Sequence, residues 1–202
     1  MSAIPKRRMS PAQYLDIERT AAFKSEYHNG EMFAMAGASP EHCDVKDNLI
    51  SELGARLKGG PCRTRSSDQR LLVSSSGLYT YPDIIIVCGT PEYAFHDANS
   101  LVNPTVVIEV LSPSTALYDC TTKLMWYQQI ESLKEYVMVK QDRPWCQSIN
   151  RQPDGAWQLK IVSQLTDDFA FASLPIRIPL ADIYAGVTFP ENPDERALHP
   201  GS

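Results

Sequence analysis

Two segments constrain this chain more than any others: "DIIIVC" at residues 83–88 and "PTVVIEVL" at residues 104–111. Valine and isoleucine fill nearly every position, so apolar side chains project from both faces of each strand. A strand that must cover both faces belongs in the middle of a covered sheet. Yet each run carries one acid. Asp83 shares a face with Ile85 and Val87, and Glu109 shares one with Val107 and Leu111. An ionised carboxylate taken out of water is costly unless a cation or several donors compensate it. Two explanations stand side by side. The acids could converge on a hard divalent cation, which prefers a few carboxylate oxygens plus water. Alternatively, Asp83, following Pro82, sits in a turn at a strand entrance, and Glu109 pairs with a buried arginine or lysine.

The other segments alternate helix and strand signals. Ser10 and Pro11 open a short helix with an apolar stripe of Tyr14, Leu15 and Ile17. A strand follows the Asn29-Gly30 turn, with Met32, Ala34 and Ala36 on one face and Phe33 and Met35 on the other. Ser39 and Pro40 start a longer helix that stops at Gly59-Gly60, and its Val45, Leu49, Leu53 and Leu57 make one stripe to lay on a sheet. "CRTRSSD" and "RLLVSSS" read as strands ending in a turn over residues 74–77, and residues 90–103 as a loop. The segment 112–132 carries the next helix, and "KEYVMVKQD", "CQSINRQ" and "WQLKIVSQ" are three further strands, the last two joined at Pro153-Asp154-Gly155. This order predicts an α+β fold, a mixed β-sheet core flanked by α-helices with additional C-terminal strands. With 202 residues, 43% of them hydrophobic, the chain suits one core. The expectation is a single domain over 1–202, with its core at about 9–189 and a polar tail at 190–202.

The five cysteines form no CxxC pair and are expected as reduced thiols, with Cys88 a small core residue. The formal net charge of −5 excludes a broad basic surface for coating nucleic acid, though not an enzyme that meets phosphates locally. No long apolar run suggests a membrane span or signal sequence, so a cytoplasmic protein is expected.

Several segments together carry a resemblance: "MSPAQYLDIE", "SEYHNGEMFAMAGASPEH", "SSDQRLLV", "YPDIIIVCGTPEY", "NPTVVIEVLSPSTALYDCTTKLMWYQQIESLKEYVMVKQD" and "RQPDGAW". Over about Met9 to Phe189 the chain resembles the Uma-two family of restriction-endonuclease-like proteins, within the PD-(D/E)xK nuclease superfamily. The resemblance implies that Pro82-Asp83 is the PD element, that Glu109 is the second acid, and that both ligate Mg2+, with Mn2+ an alternative. It implies DNA as substrate and a homodimer, since cutting two strands takes two sites. The superfamily lysine falls two residues after the second acid, where this chain has Leu111. Lys123 is the candidate replacement, four residues after Asp119 on one helical face; the alternative is an ordinary solvated Asp-Lys pair.

Further candidates are Glu26 and Glu31 as extra acids, His42 at a helix start, and Asp68 with Arg70 as a third acid and a phosphate-facing guanidinium, or else a structural ion pair. Trp126 and Tyr127 follow helical spacing and are read as packing or interface residues. No residues are assigned to an organic cofactor. The expected function is a Mg2+-dependent endonuclease with Asp83, Glu109 and Lys123 catalytic. The rival is a catalytically degenerate member acting as a nucleic-acid-binding or dimeric interaction module, and a weaker rival is hydrolysis of a small phosphate ester.

Overall fold

The structure is a computed structural model that describes residues 8–35, 37–113 and 115–189. The expected polar tail at 190–202 lies outside the described residues. The first sheet is built from β1 (Ser25–His28), β2 (Glu31–Ala34), β4 (Arg70–Val73), β5 (Leu78–Thr80), β7 (Tyr93–Ala94) and β8 (Asp97–Leu101). Its order is β2-β1-β5-β4-β8-β7. The second contains β3 (Cys62–Ser66), β6 (Ile84–Cys88), β9 (Val106–Leu111), β10 (Glu135–Lys140), β11 (Cys146–Arg151) and β12 (Trp157–Val162), in the order β12-β11-β10-β9-β6-β3. Here β9 runs parallel to β10 and antiparallel to β6, so the sheet is mixed. Both valine-isoleucine runs are interior strands, and their apolar side chains are buried on both faces apart from the partly buried Cys88 that ends β6.

Helix α1 (Pro11–Glu18) and helix α2 (Pro40–Leu57) begin as their sequences dictate. Ser10 and Ser39 accept backbone N–H bonds from Gln13 and His42, with proline in each first turn. The α2 stripe of Val45, Leu49, Leu53 and Leu57 is buried against Ile84, Ile86, Val106 and Ile108 on one face of the second sheet. Each such side chain stabilises the fold by roughly 1.5–3 kcal/mol through burial. The short hairpin of β13 (Asp168–Ala170) and β14 (Arg177–Pro179) and the following α5 (Leu180–Ile183) complete this layer. The Asn48 side chain of α2 donates to the carbonyls of Ile183 and Ala185. The opposite face packs Ile85, Val87, Val107 and Leu111 against Leu71, Val73, Leu78 and Leu101 of the first sheet. Beyond that sheet, Tyr14 and Leu15 of α1 meet Tyr27, Leu72 and Tyr79.

Several expectations need correction. Ile17 is 46% exposed rather than part of a buried stripe. In β2 the pattern is mostly exposed, with Phe33 on the outside, because this hairpin strand is a sheet edge. Residues 90–103 are not a plain loop: β8 pairs in parallel with β4, Arg70 opposite Ser100, and β7 folds back on β8. The helical segment after β9 is divided into α3 (Ala116–Tyr118), a π-helical turn at Asp119–Lys123 and α4 (Leu124–Tyr127). Cys62 and Cys88 are joined in a disulfide, where reduced thiols were expected. They stand directly opposite one another across β3 and β6, a proximity that 26 residues of separation hide in the sequence. Among the described residues no helix is long and apolar enough to cross a membrane.

Candidate active site

The antiparallel register of β6 and β9 sets Ile84 opposite Ile108, which brings Asp83 and Glu109 to the same end of the two strands. The Asp83 N–H donates to Glu109 Oε2 at 3.2 Å, and the Val110 N–H donates to Asp83 Oδ2 at 2.8 Å. His42, one turn into α2, places Nε2 3.0 Å from Asp83 Oδ1. Asp83 precedes the first residue of β6, whereas Glu109 lies within β9, where Lys123, Tyr127 and the Asp83 N–H compensate its buried carboxyl.

The π-helical turn supplies the cation. A π turn widens the helix by one residue, and such insertions recur at functional sites. Lys123 ends this turn, and its buried Nζ lies 2.9 Å from Glu26 Oε1, 3.2 Å from Glu109 Oε1 and 3.3 Å from Asp119 Oδ1. One turn on, the Tyr127 hydroxyl donates to Glu109 Oε1 at 3.0 Å. Glu26 comes from β1, where Thr80 Oγ1 donates to Oε1 and the Tyr118 hydroxyl to Oε2. Both sequence explanations for Glu109 are therefore present together: it pairs with a buried lysine, and it stands beside Asp83. Leu111, at the superfamily lysine position, is buried among aliphatic side chains, and a lysine enters from the following helix instead.

Charge within this cluster is unbalanced. Glu109, Glu26 and Asp119 surround one ammonium, with Asp83 next to Glu109 and the His42 imidazole bonded to Asp83. Burial pushes the Glu109 carboxyl up to about 8; Lys123 opposes that rise, and Asp119, Asp83 and Glu26 add to it. Asp119 is raised for the same first reason, burial, and Lys123 again opposes. Burial works against the Lys123 ammonium, but Glu109, Glu26 and Asp119 outweigh it and hold its pKa well above the ordinary lysine value. One ammonium cannot neutralise three carboxylates, so lysine stays charged while burial pushes Glu109 and Asp119 toward their neutral forms. Asp119 Oδ1 is buried, with the shared Lys123 ammonium 3.3 Å away as its counter-charge.

This donor set fits a hard divalent cation. Asp83 and Glu109 offer carboxylate oxygens, and the cluster carries more negative charge than Lys123 cancels. Among the described residues no three His, Cys, Asp or Glu side chains form a ready metal cage. A hard cation such as Mg2+ would therefore draw on Asp83 and Glu109 and take the rest of its shell from water and substrate phosphate.

The remaining candidates divide. Glu26 and His42 join the cluster directly. Glu31 stands exposed at the start of β2, in register with His28. Asp68 and Arg70 do not pair with each other. Asp68 sits in the exposed turn before β4 and binds Lys24. Arg70 is buried and donates to Asp97 at 2.6 Å and to Ser100 and the Tyr81 hydroxyl at 2.9 Å each. A guanidinium so enclosed is a structural tie between β4 and β8, not a phosphate contact. Sequence reasoning gave Tyr127 a packing role and Asp119 none beyond its helical partner. The spacing 119, 123, 127 was the available signal, since residues four apart share a helical face.

A mixed sheet whose central strands present an aspartate and a glutamate at one end, with a lysine folded back over them, is a restriction-endonuclease-like arrangement. A solved structure supports the fold: that of a "putative nuclease belonging to DUF820" from Anabaena variabilis superposes with a TM-score of 0.66 at 15% identity, covering 81% of this chain and 91% of that one. The chain belongs to the Uma2 family, described as "Putative restriction endonuclease", whose profile matches residues 11–181. Two relatives from Synechocystis sp. are similar: the "Uncharacterized protein slr1290", 29% identical over 92% of this chain and 96% of that protein, and the "Uncharacterized protein sll1609", 33% identical over 66% and 75%.

Proposed function

We propose that this protein is a divalent-metal-dependent endonuclease that hydrolyses DNA phosphodiester bonds, with Asp83 and Glu109 holding Mg2+ or Mn2+. The observation that carries this reading is Lys123 Nζ at 3.2 Å from Glu109, beside Asp83, in a chain whose usual lysine position is leucine. The family description and the nuclease title of the structural neighbour support it.

When bound, the cation would polarise a phosphate oxygen and acidify a water. The chain's own residues do the rest. The Val110 N–H and His42 orient Asp83, and Asp83 N–H and Tyr127 orient Glu109. Lys123 counters the acids and supplies a fixed positive charge near the developing phosphorane. Cutting both strands of a duplex would take two such sites, and hence a two-fold dimer.

Leu111 also motivates a second reading, a binding module that has lost its chemistry. Purified protein incubated with supercoiled plasmid or single-stranded DNA and Mg2+ or Mn2+ separates the two. Nicking by the native protein that disappears in Asp83→Ala and Glu109→Ala supports the enzyme. No cleavage of plasmid or of single-stranded DNA by native protein, or equal cleavage by all three, rejects it.

A further inference from the structure

We propose that the cluster of rings beside the acids is a stacking platform for unpaired bases, so that the substrate is single-stranded DNA rather than continuous duplex. This rests on the nuclease reading and narrows it. Tyr118 touches the acid cluster through its hydroxyl bond to Glu26, and the Lys123 ammonium lies 5.4 Å from its ring centre. Trp126 meets Tyr118 edge-on at 6.2 Å, and the His28 imidazole lies 4.2 Å from Trp126. Across the β1–β2 hairpin Phe33 is directly opposite Glu26 and so shares its face, and Phe33 is 51% exposed. Tyr118, Trp126 and His28 are partly exposed. The rings thus lead from buried carboxylates toward the surface, and Phe33 lies on the same strand face as Glu26.

Two features select an unpaired strand. Base faces stack on aromatic side chains whatever their sequence, and each such contact contributes appreciable affinity. The reactive groups are also recessed: the side chains of Glu109 and Lys123 are 6% and 8% exposed, and Asp83 is 16% exposed. A flexible strand can lead one phosphate into such a recess, while a duplex holds each phosphate at the rim of a stiff, wide cylinder. A single strand also asks for one site rather than two.

The test is fluorescence anisotropy with a labelled oligonucleotide, single-stranded or annealed to its complement, with Ca2+ replacing Mg2+. The expected result is at least tenfold tighter binding of the single strand. Trp126→Ala and Phe33→Ala should each weaken it about tenfold or more, while Trp126→Phe keeps most of the affinity. Phe33 is exposed enough that its alanine variant reads out even if Trp126→Ala fails to fold. Equal or tighter duplex binding, no binding of either form by folded protein, or single-strand affinity unmoved by Phe33→Ala overturns the platform. Ring-dependent single-strand binding without cleavage in Mg2+ or Mn2+ leaves the platform standing and removes the nuclease reading. Asp83-dependent duplex nicking without strand preference does the reverse.

Discussion

The Lys123 ammonium rests 3.2 Å from the Glu109 carboxylate, although 14 residues and a change from strand to helix separate them along the chain. Removing Lys123 leaves the buried acids Glu26, Glu109 and Asp119 without their shared cation, at a cost of about 3–5 kcal/mol. Lys123→Met is therefore expected to lower the urea midpoint sharply and abolish nicking. Lys123→Arg keeps the charge but not the compact ammonium, so it should recover more stability than activity. Urea unfolding and plasmid nicking measured on the same preparations check both.

Stability of the metal-free protein should fall with rising pH in the neutral range. The Glu109 carboxyl, pushed up to about 8 by burial, lies above its unfolded value of about 4.3. The folded state therefore binds the extra proton between those values. The stabilisation is complete below the unfolded pKa and is lost progressively as pH climbs through the folded one. Thermal melts from pH 5 to 9 should show this decline, and Glu109→Gln, which cannot ionise, should flatten it. A native profile as flat as the variant's would refute the assignment.

Arg70 and Asp97 form a buried tie, with side chains 6% and 3% exposed. Asp97→Ala should cost about 3–5 kcal/mol in denaturant unfolding, because the guanidinium is left without its counter-charge. Asp68→Ala should cost less than about 1 kcal/mol, since its bridge to Lys24 lies at the surface. Comparable losses from the two variants would contradict the buried location of Arg70.

Thiol chemistry separates the five cysteines. With Cys62 and Cys88 joined, three thiols should react in denaturant without reductant: Cys43, Cys120 and Cys146. In the native state burial pushes the Cys146 thiol up to about 12, so it should resist alkylation at pH 8 while partly exposed Cys43 reacts. Peptide mapping after alkylation identifies which sulfurs are modified, and five reactive thiols in denaturant would exclude the disulfide.

What could be read from the sequence was local. Ser39 as a cap followed by leucines every fourth residue admits few outcomes other than α2 lying on a sheet, because the cap satisfies backbone donors and the stripe must leave water. The aliphatic runs of β6 and β9 demanded interior positions for the same reason. The acids that interrupt them marked a site, since chains rarely place carboxylates in such strands without compensation.

Partner choice came from tertiary structure alone. Arg70 could have faced phosphate, but β8, drawn from a segment that reads as loop, brings Asp97 beneath it. Cys62 met Cys88 only because β3 and β6 came to lie side by side, and Lys24 met Asp68 only because folding closed the 44 residues between them. Spacing suggested Lys123, yet the π turn and the approach of β1 gave it three carboxylates to hold instead of one. A sequence fixes which groups each segment must bury or cap, because those demands are met within a few residues; which distant group answers a buried charge depends on strand order and register, and these exist only once the sheets have formed.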